Sequence, residues 1–174
     1  METFHTLIAQ KAILEYFEKN STNHIENENV PNELNQRKAC FVTLKTSDNA
    51  LRGCIGTLEP RYENLYTEII KNAIASAFFD YRFSPLTKKE FQNICITVEV
   101  LSPLESVPGT EHLNPKLYGA VITDASGKRG VLLPEIEGVD TVAEQIRIIK
   151  RKAGIFQDSN VGLSFFRFTT EKFS

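Results

Sequence analysis

The run Ala39-Cys40-Phe41-Val42-Thr43-Leu44-Lys45, the turn formers Thr46-Ser47-Asp48-Asn49-Ala50 and the heptapeptide Leu51-Arg52-Gly53-Cys54-Ile55-Gly56-Thr57 decide how this chain folds. In the first run Cys40, Val42 and Leu44 alternate with Phe41, Thr43 and Lys45, the period-two pattern of a strand with one buried face. The turn formers reverse the chain, and the heptapeptide returns as a second strand of a β-hairpin. Closure symmetric about Asp48-Asn49 sets Ile55 opposite Val42, Cys54 opposite Thr43, Gly53 opposite Leu44 and Arg52 opposite Lys45. Core residues then meet core residues, which selects this register over a one-residue slip. The other face collects Lys45, Arg52, Thr43 and Cys54. Two cations opposed in a strand pair need a negative partner. That partner is an anionic ligand or a carboxylate of the chain itself, with Glu99 the first candidate and Asp80 the second.

Outward from the hairpin, residues 6–19 read as an amphipathic helix, with Phe4, Leu7, Ile8, Leu14 and Phe17 at helical spacing. Residues 20–36 are asparagine-rich and too poor in apolar groups to offset ordering entropy; they read as a surface loop containing a solvated His24. Residues 62–79 carry the clearest helical stripe, with Pro60 just ahead of it. Thr87-Lys88-Lys89-Glu90 matches a capping box for a short helical turn, and residues 93–101 alternate as a strand with Ile94, Ile96, Val98 and Val100 inward. Residues 102–116 hold three prolines and read as an irregular connection. A second hairpin is expected around Asp124-Ala125-Ser126-Gly127, then a helix capped by Thr141 and stopped at Gly154, then a closing strand over 163–170. The order lacks a βαβ rhythm, so the expected fold is α+β: about three main helices with a mixed or antiparallel sheet.

The 174 residues are 41% hydrophobic and 24% charged, with 20 Lys and Arg against 22 Asp and Glu. Such a chain makes one domain or two small lobes and needs no metal or disulfide staple. A net charge of −2 argues against a dedicated nucleic-acid binder, as does the lack of a basic-aromatic stripe. The longest uncharged apolar run, residues 73–79, is far short of a membrane span, and Lys11 and Glu15 interrupt any signal-peptide pattern. A cytoplasmic location is the expectation. Cys40, Cys54 and Cys95 are widely spaced, as are His5, His24 and His112; no metal site or disulfide framework is indicated, and no cofactor motif occurs.

Chemistry is most readable at Cys54. Fixed cations favour thiolates, so Arg52 and Lys45 would make a partly exposed Cys54 nucleophilic. Gly53 and Gly56 leave room for a ligand or another backbone. The plainer alternative is a small buried hydrophobe between bulge glycines. Cys40 and Cys95 read as packing residues, and His112 could act as base only if its loop folds back. Asp80 and Arg82 either pin the loop after the long helix or line a cleft, with Arg82 as an anion clamp. Lys128-Arg129 reads as a solvated turn, and Lys150-Arg151-Lys152 as complementing a helix dipole.

These residues resemble the AMMECR-one-like family. Its signature Leu-Arg-Gly-Cys-Ile-Gly stands here as residues 51–56, followed by Thr57. Further matches are Asp80-x-Arg82-Phe83-x-Pro85, Glu99-Val100-Leu101-Ser102-Pro103-Leu104, Tyr118-Gly119, Arg129-Gly130-x-Leu132-Leu133-Pro134 and Lys152-Ala153-Gly154-Ile155, in order across residues 39–170. Glu135 stands where the family pattern has glutamine, and the tail has no tryptophan. The resemblance implies one domain over residues 1–174, with a larger and a smaller lobe sharing a cleft. It also implies a Memo-like or radical-SAM partner, as in the AmmeMemoRadiSam system, and supplies no reaction. The site it suggests centres on Cys54 as nucleophile with Arg52 and Glu99. Lys45, Gly53, Ile55, Gly56, Thr57, Asp80 and Arg82 would contact a small anionic or polar ligand. The competing reading is a noncatalytic adaptor that uses the Arg-Gly-Cys-Ile-Gly surface.

Overall fold

The computed structural model describes residues 3–21, 25 and 30–174; His24 lies outside the described residues. In chain order the elements are α1 (Phe4–Lys19), β1 (Cys40–Thr46), β2 (Leu51–Gly56), α2 (Leu65–Phe78), α3 (Lys88–Phe91), β3 (Ile94–Leu101), β4 (Glu105–Val107), β5 (Gly119–Thr123), β6 (Arg129–Leu132), α4 (Val142–Ala153), β7 (Ser164–Phe168) and β8 (Thr170–Phe173). The fold is α+β. Its strands form two four-stranded sheets, ordered β2-β1-β3-β8 and β4-β7-β5-β6. The chain divides into two compact units, one of residues up to Leu101 with Glu171–Ser174, the other Ser102–Thr170.

In the first unit α1 and α2 share a core with Cys40, Val42 and Leu44 of β1 and Val98 and Val100 of β3, the alternating residues expected to face inward. Thr3 opens α1 in a capping box with Thr6, and Asn20, left-handed at φ 51°, closes it. The buried face of α1 is Ile8, Ala9, Ala12 and Ile13, whereas Phe4, Leu7 and Leu14 are exposed. The expected stripe is therefore rotated. Ala9 and Ala12 set the contact face because small side chains admit the neighbouring helix, and a reading weighted to large side chains misses them. Helix α2 starts three residues later than its stripe suggests, because Asn64 Oδ1 accepts the Thr67 N–H at 2.8 Å and caps it there. The expected capping box of α3 is present, with Thr87 and Glu90 bonded reciprocally.

In the second unit α4 packs its Ile146 and Ile149 into a core with Ala120, Ile122, Leu132 and Phe165. The Thr141–Glu144 box opens the helix and Gly154, left-handed at φ 66°, ends it, as the sequence predicts. Two expectations change. The connection over 102–116 contains β4 and a 3₁₀ turn, Thr110–His112. A strand of three residues is too short to show alternation in sequence. The closing strand is two strands, β7 in the second sheet and β8 in the first, so the single expected sheet is a pair. Among the described residues no helix is long and apolar enough to cross a membrane.

Candidate functional site

The first hairpin closes through a three-residue loop. Thr46 N–H donates to Ala50 O at 2.9 Å, Asn49 N–H to Thr46 O at 2.8 Å, and Asn49 takes φ 67°. Val42 pairs with Ile55, Thr43 with Cys54 and Leu44 with Gly53, in the expected register, but Lys45 pairs with Leu51. Arg52 is therefore the extra residue of a β-bulge, and a bulge re-aims its side chain. The guanidinium leaves the hairpin: Nε donates to Glu90 Oε1 at 3.0 Å, and Nη2 to Glu90 Oε2 at 3.3 Å and Ser84 O at 3.0 Å. Lys45 Nζ turns instead to Asn49 Oδ1 at 2.9 Å. The expected Lys45–Arg52 opposition does not form. Nor is Glu99 the acid that compensates Arg52; it lies on β3 opposite Phe41, and Glu90 takes that part.

The residues that hold β2 from behind lie on α2 at four-residue spacing: Glu68, Asn72 and Ser76, with Asp80 one step beyond the helix. Each grips backbone or hydroxyl groups at the hairpin. Glu68, fully buried, accepts from Thr57 Oγ1 at 2.5 Å and from the N–H groups of Arg61 and Tyr62 at 3.0 Å. Asn72 Nδ2 donates to Cys40 O at 3.0 Å. Ser76 Oγ sits between paired residues, accepting from Ile55 N–H at 2.8 Å and donating to Val42 O at 2.7 Å. This grip needs close approach. A Cβ on Gly53 would lie 2.2 Å from Ser76 O, and one on Gly56 would lie 2.3 Å from Phe41 Cγ. The space both glycines leave is filled by the protein itself, not left for a ligand.

Cys54 is gripped at both of its backbone groups. Its N–H donates to Asp80 Oδ2 at 2.9 Å, and its carbonyl accepts from Arg82 Nη2 at 3.0 Å. Arg82 also grips Asp80 through Nη2 at 2.6 Å and Nε at 2.9 Å. At Cys54 the outer edge of β2, the end strand of its sheet, is thereby capped. Thr43 Oγ1 donates to Cys54 Sγ at 3.3 Å, and the residue is half-buried. Phe83 lies beneath both arginines, its ring centre 5.8 Å from the Arg52 guanidinium and 5.5 Å from that of Arg82.

A family model described as AMMECR1 matches residues 6–173. The chain belongs to the AMMECR1 family. A Thermotoga maritima relative is 49% identical over 148 residues, covering 84% of this chain and 83% of its own length. A Clostridium acetobutylicum relative is 41% identical over 136 residues, which cover 78% of this chain but only 28% of that protein. The crystal structure of an uncharacterised Pyrococcus horikoshii protein is similar at a TM-score of 0.85 and 30% identity, covering 97% of this chain and 88% of that one.

In this AMMECR1 chain the other cysteines and histidines fall elsewhere. Cys40 is buried, and desolvation pushes its thiol up to about 12. Cys95, expected to pack, is exposed, because it lies on the outer face of β3. His5 stacks on Phe173 at 3.6 Å, and His112 stands beside Glu111 in the second unit. Among the described residues no group of three His, Cys, Asp or Glu is placed to hold a metal ion. Sequence reasoning missed Glu68, Asn72 and Ser76, although polar residues at every fourth position of α2 were a readable signal, and it read Glu90 only as half of a capping box.

Two carboxylates of the AMMECR1 site, Asp80 and Glu90, are held ionised. Hydrogen bonds from Arg82, then from the Cys54 N–H, bring Asp80 down to about 2, and those from Arg52, then Thr87, bring Glu90 to about 2. A carboxylate depressed in the folded state contributes stability above its unfolded pKa and loses it as pH falls toward the folded value. The contribution of these two carboxylates to the urea midpoint should therefore be constant above about pH 5 and fall between about pH 4.5 and 2. In an Asp80→Asn/Glu90→Gln double variant, weaker at neutral pH, that part of the slope should disappear. An unchanged slope would assign acid sensitivity to other groups.

Proposed function

We propose that the first unit presents the Cys54 sulfur and the open edge of Arg82 to a small polar or anionic ligand, with Cys54 as nucleophile in thiol-dependent chemistry. The observation that carries this is the setting of the sulfur: half-buried, with the Thr43 hydroxyl donating to it and a guanidinium fastened to the carbonyl of the same residue. Hydroxyl donors and guanidinium groups favour a nucleophilic sulfur. Arg52, only 12% exposed in its side chain, ties the hairpin to Ser84 in the loop and to Glu90 on α3. Gly53, Ile55, Gly56, Thr57 and Asp80 hold the strand in place; Lys45 and Glu99 are not needed. Both arginines are already neutralised, Arg52 by Glu90 and Arg82 by Asp80, so recognition leans on hydrogen bonding more than on net charge. The reaction works in concert with a Memo-like or radical-SAM partner, and the low coverage of the longer Clostridium relative is consistent with a domain that serves larger assemblies.

Thiol labelling tests the reading. In a Cys95→Ser background Cys54 should react with iodoacetamide in the native state, and Thr43→Val or Arg82→Gln should slow it by about threefold or more. No native-state labelling, or equal rates in all three proteins, removes the nucleophile. A second reading, the noncatalytic adaptor, is favoured by Tyr81 and Phe79, which flank Asp80 and are 93% and 63% exposed. Exposed Tyr beside Arg is the composition of an interface anchor. For the adaptor, Tyr81→Ala should abolish binding to a purified Memo-like protein while Cys54→Ser leaves it intact; equal losses would count against it.

A further inference from the structure

A groove of about 690 Å³ lies along α4 in the second unit, walled by the loop after Gly154. Val142, Ile146 and Ile155 line it with Phe156, a residue 86% exposed. The wall is braced. Lys150 Nζ donates to the carbonyls of Gln157, Asp158 and Ser159 at 3.2, 3.1 and 3.0 Å. Gln157 Nε2 donates to the carbonyls of Ser159 and Val161 at 3.2 and 3.0 Å. A wall fixed in advance costs a ligand little ordering entropy.

Those bonds also sort the basic run. Lys150 holds the loop and Lys152 Nζ donates to Val131 O at 2.9 Å, so both serve as internal clamps. Arg147 and Arg151, one helical turn apart, line the groove and are exposed, with no side-chain hydrogen bond or ion pair among the described residues. Asp158 is the one acid among the lining residues, leaving the groove an excess of positive charge on a chain of net charge −2. Size decides between kinds of occupant. A volume of this order suits a small ligand, whereas a stable protein interface engages roughly 20–30 residues a side; twelve residues line this groove.

We propose that the groove of the second unit binds a small amphiphile, an apolar chain or ring carrying a carboxylate, with the apolar body on Ile146, Ile155 and Phe156 and the carboxylate between Arg147 and Arg151. The site lies within the second unit and is independent of the Cys54 reading.

Octanoate, octylamine and octanol serve as probes, titrated into the ¹⁵N-labelled full chain and followed by NMR. Octanoate should shift amides of residues 142–158 saturably, with octanol and octylamine about tenfold weaker or worse. Arg147→Gln/Arg151→Gln should weaken octanoate about tenfold, and Phe156→Ser should weaken it with no gain for octylamine. All three positions are exposed, so the variants should keep the wild-type spectrum elsewhere. The proposal is overturned by no saturable shift at millimolar octanoate, by shifts centred on β1 and β2, or by equal binding of octylamine. Octanoate binding unchanged in the arginine variant would overturn it too, as would a DNA duplex that binds these arginines in preference to octanoate.

Discussion

Gly53→Ala is expected to lower stability by about 3 kcal/mol or more, near the upper end for a single added methyl. The new Cβ would sit 2.2 Å from Ser76 O and 3.1 Å from Ser76 C, both backbone atoms of α2. No side-chain rotation relieves that contact. Relief requires α2 to withdraw from β2, which would lengthen the bonds of Ser76 to Ile55 N–H and Val42 O and leave the buried Val42 O and the part-buried Ile55 N–H without these partners. Urea denaturation measures the loss. A change below about 1 kcal/mol would mean that the helix shifts freely and that close packing of α2 on the hairpin is not what this glycine provides.

The hairpin also shows how far sequence reasoning reached. Alternation of Cys40, Val42 and Leu44 set the correct face and the correct register as far as Leu44 and Gly53, because a slip would bury the wrong residues. It failed one residue further on. Whether the turn is symmetric depends on the left-handed conformation of Asn49, and two- and three-residue loops have similar composition. That single inserted residue separates Arg52 from Lys45 and sends it to Glu90. Asp80 and Arg82 were readable as neighbours of the loop, but not as clamps on the two backbone groups of Cys54, since a strand's outward N–H and C=O leave no mark in sequence. Glu90 was legible as half of a capping box, and the same carboxylate also receives Arg52. The heptapeptide is thus mostly a structural device, with Gly53, Ile55, Gly56 and Thr57 engaged by the protein itself. The proposed chemistry therefore rests on the Cys54 sulfur, to which Thr43 Oγ1 donates.

Glu68→Ala is the other substitution expected to cost about 3 kcal/mol or more, and its amide analogue should separate hydrogen bonding from charge. The carboxylate is fully buried and has three donors, the Thr57 hydroxyl on one oxygen and the N–H groups of Arg61 and Tyr62 on the other. Removing it strands all three: the Thr57 hydroxyl is buried and is worth about 1–3 kcal/mol when left unmade, and the N–H groups of Arg61 and Tyr62, in part-buried bonds, add less each. Glu68→Gln can keep them: its carbonyl oxygen can face the two N–H groups, and its NH₂ can donate to Thr57 Oγ1 if that hydroxyl rotates to accept. Glutamine should therefore recover more than half of the loss seen with alanine. It would still forfeit the favourable charge in the first turn of α2, worth typically about 0.3–1 kcal/mol. If glutamine is as damaging as alanine, the charge is what holds residues 57–62 to the helix, and the hydrogen-bond account of the stripe through Asn72, Ser76 and Asp80 fails at its first member. If the account holds, Glu68→Ala should also raise iodoacetamide labelling of Cys40, because the Thr57 N–H that donates to Cys40 O at 3.1 Å belongs to the released segment.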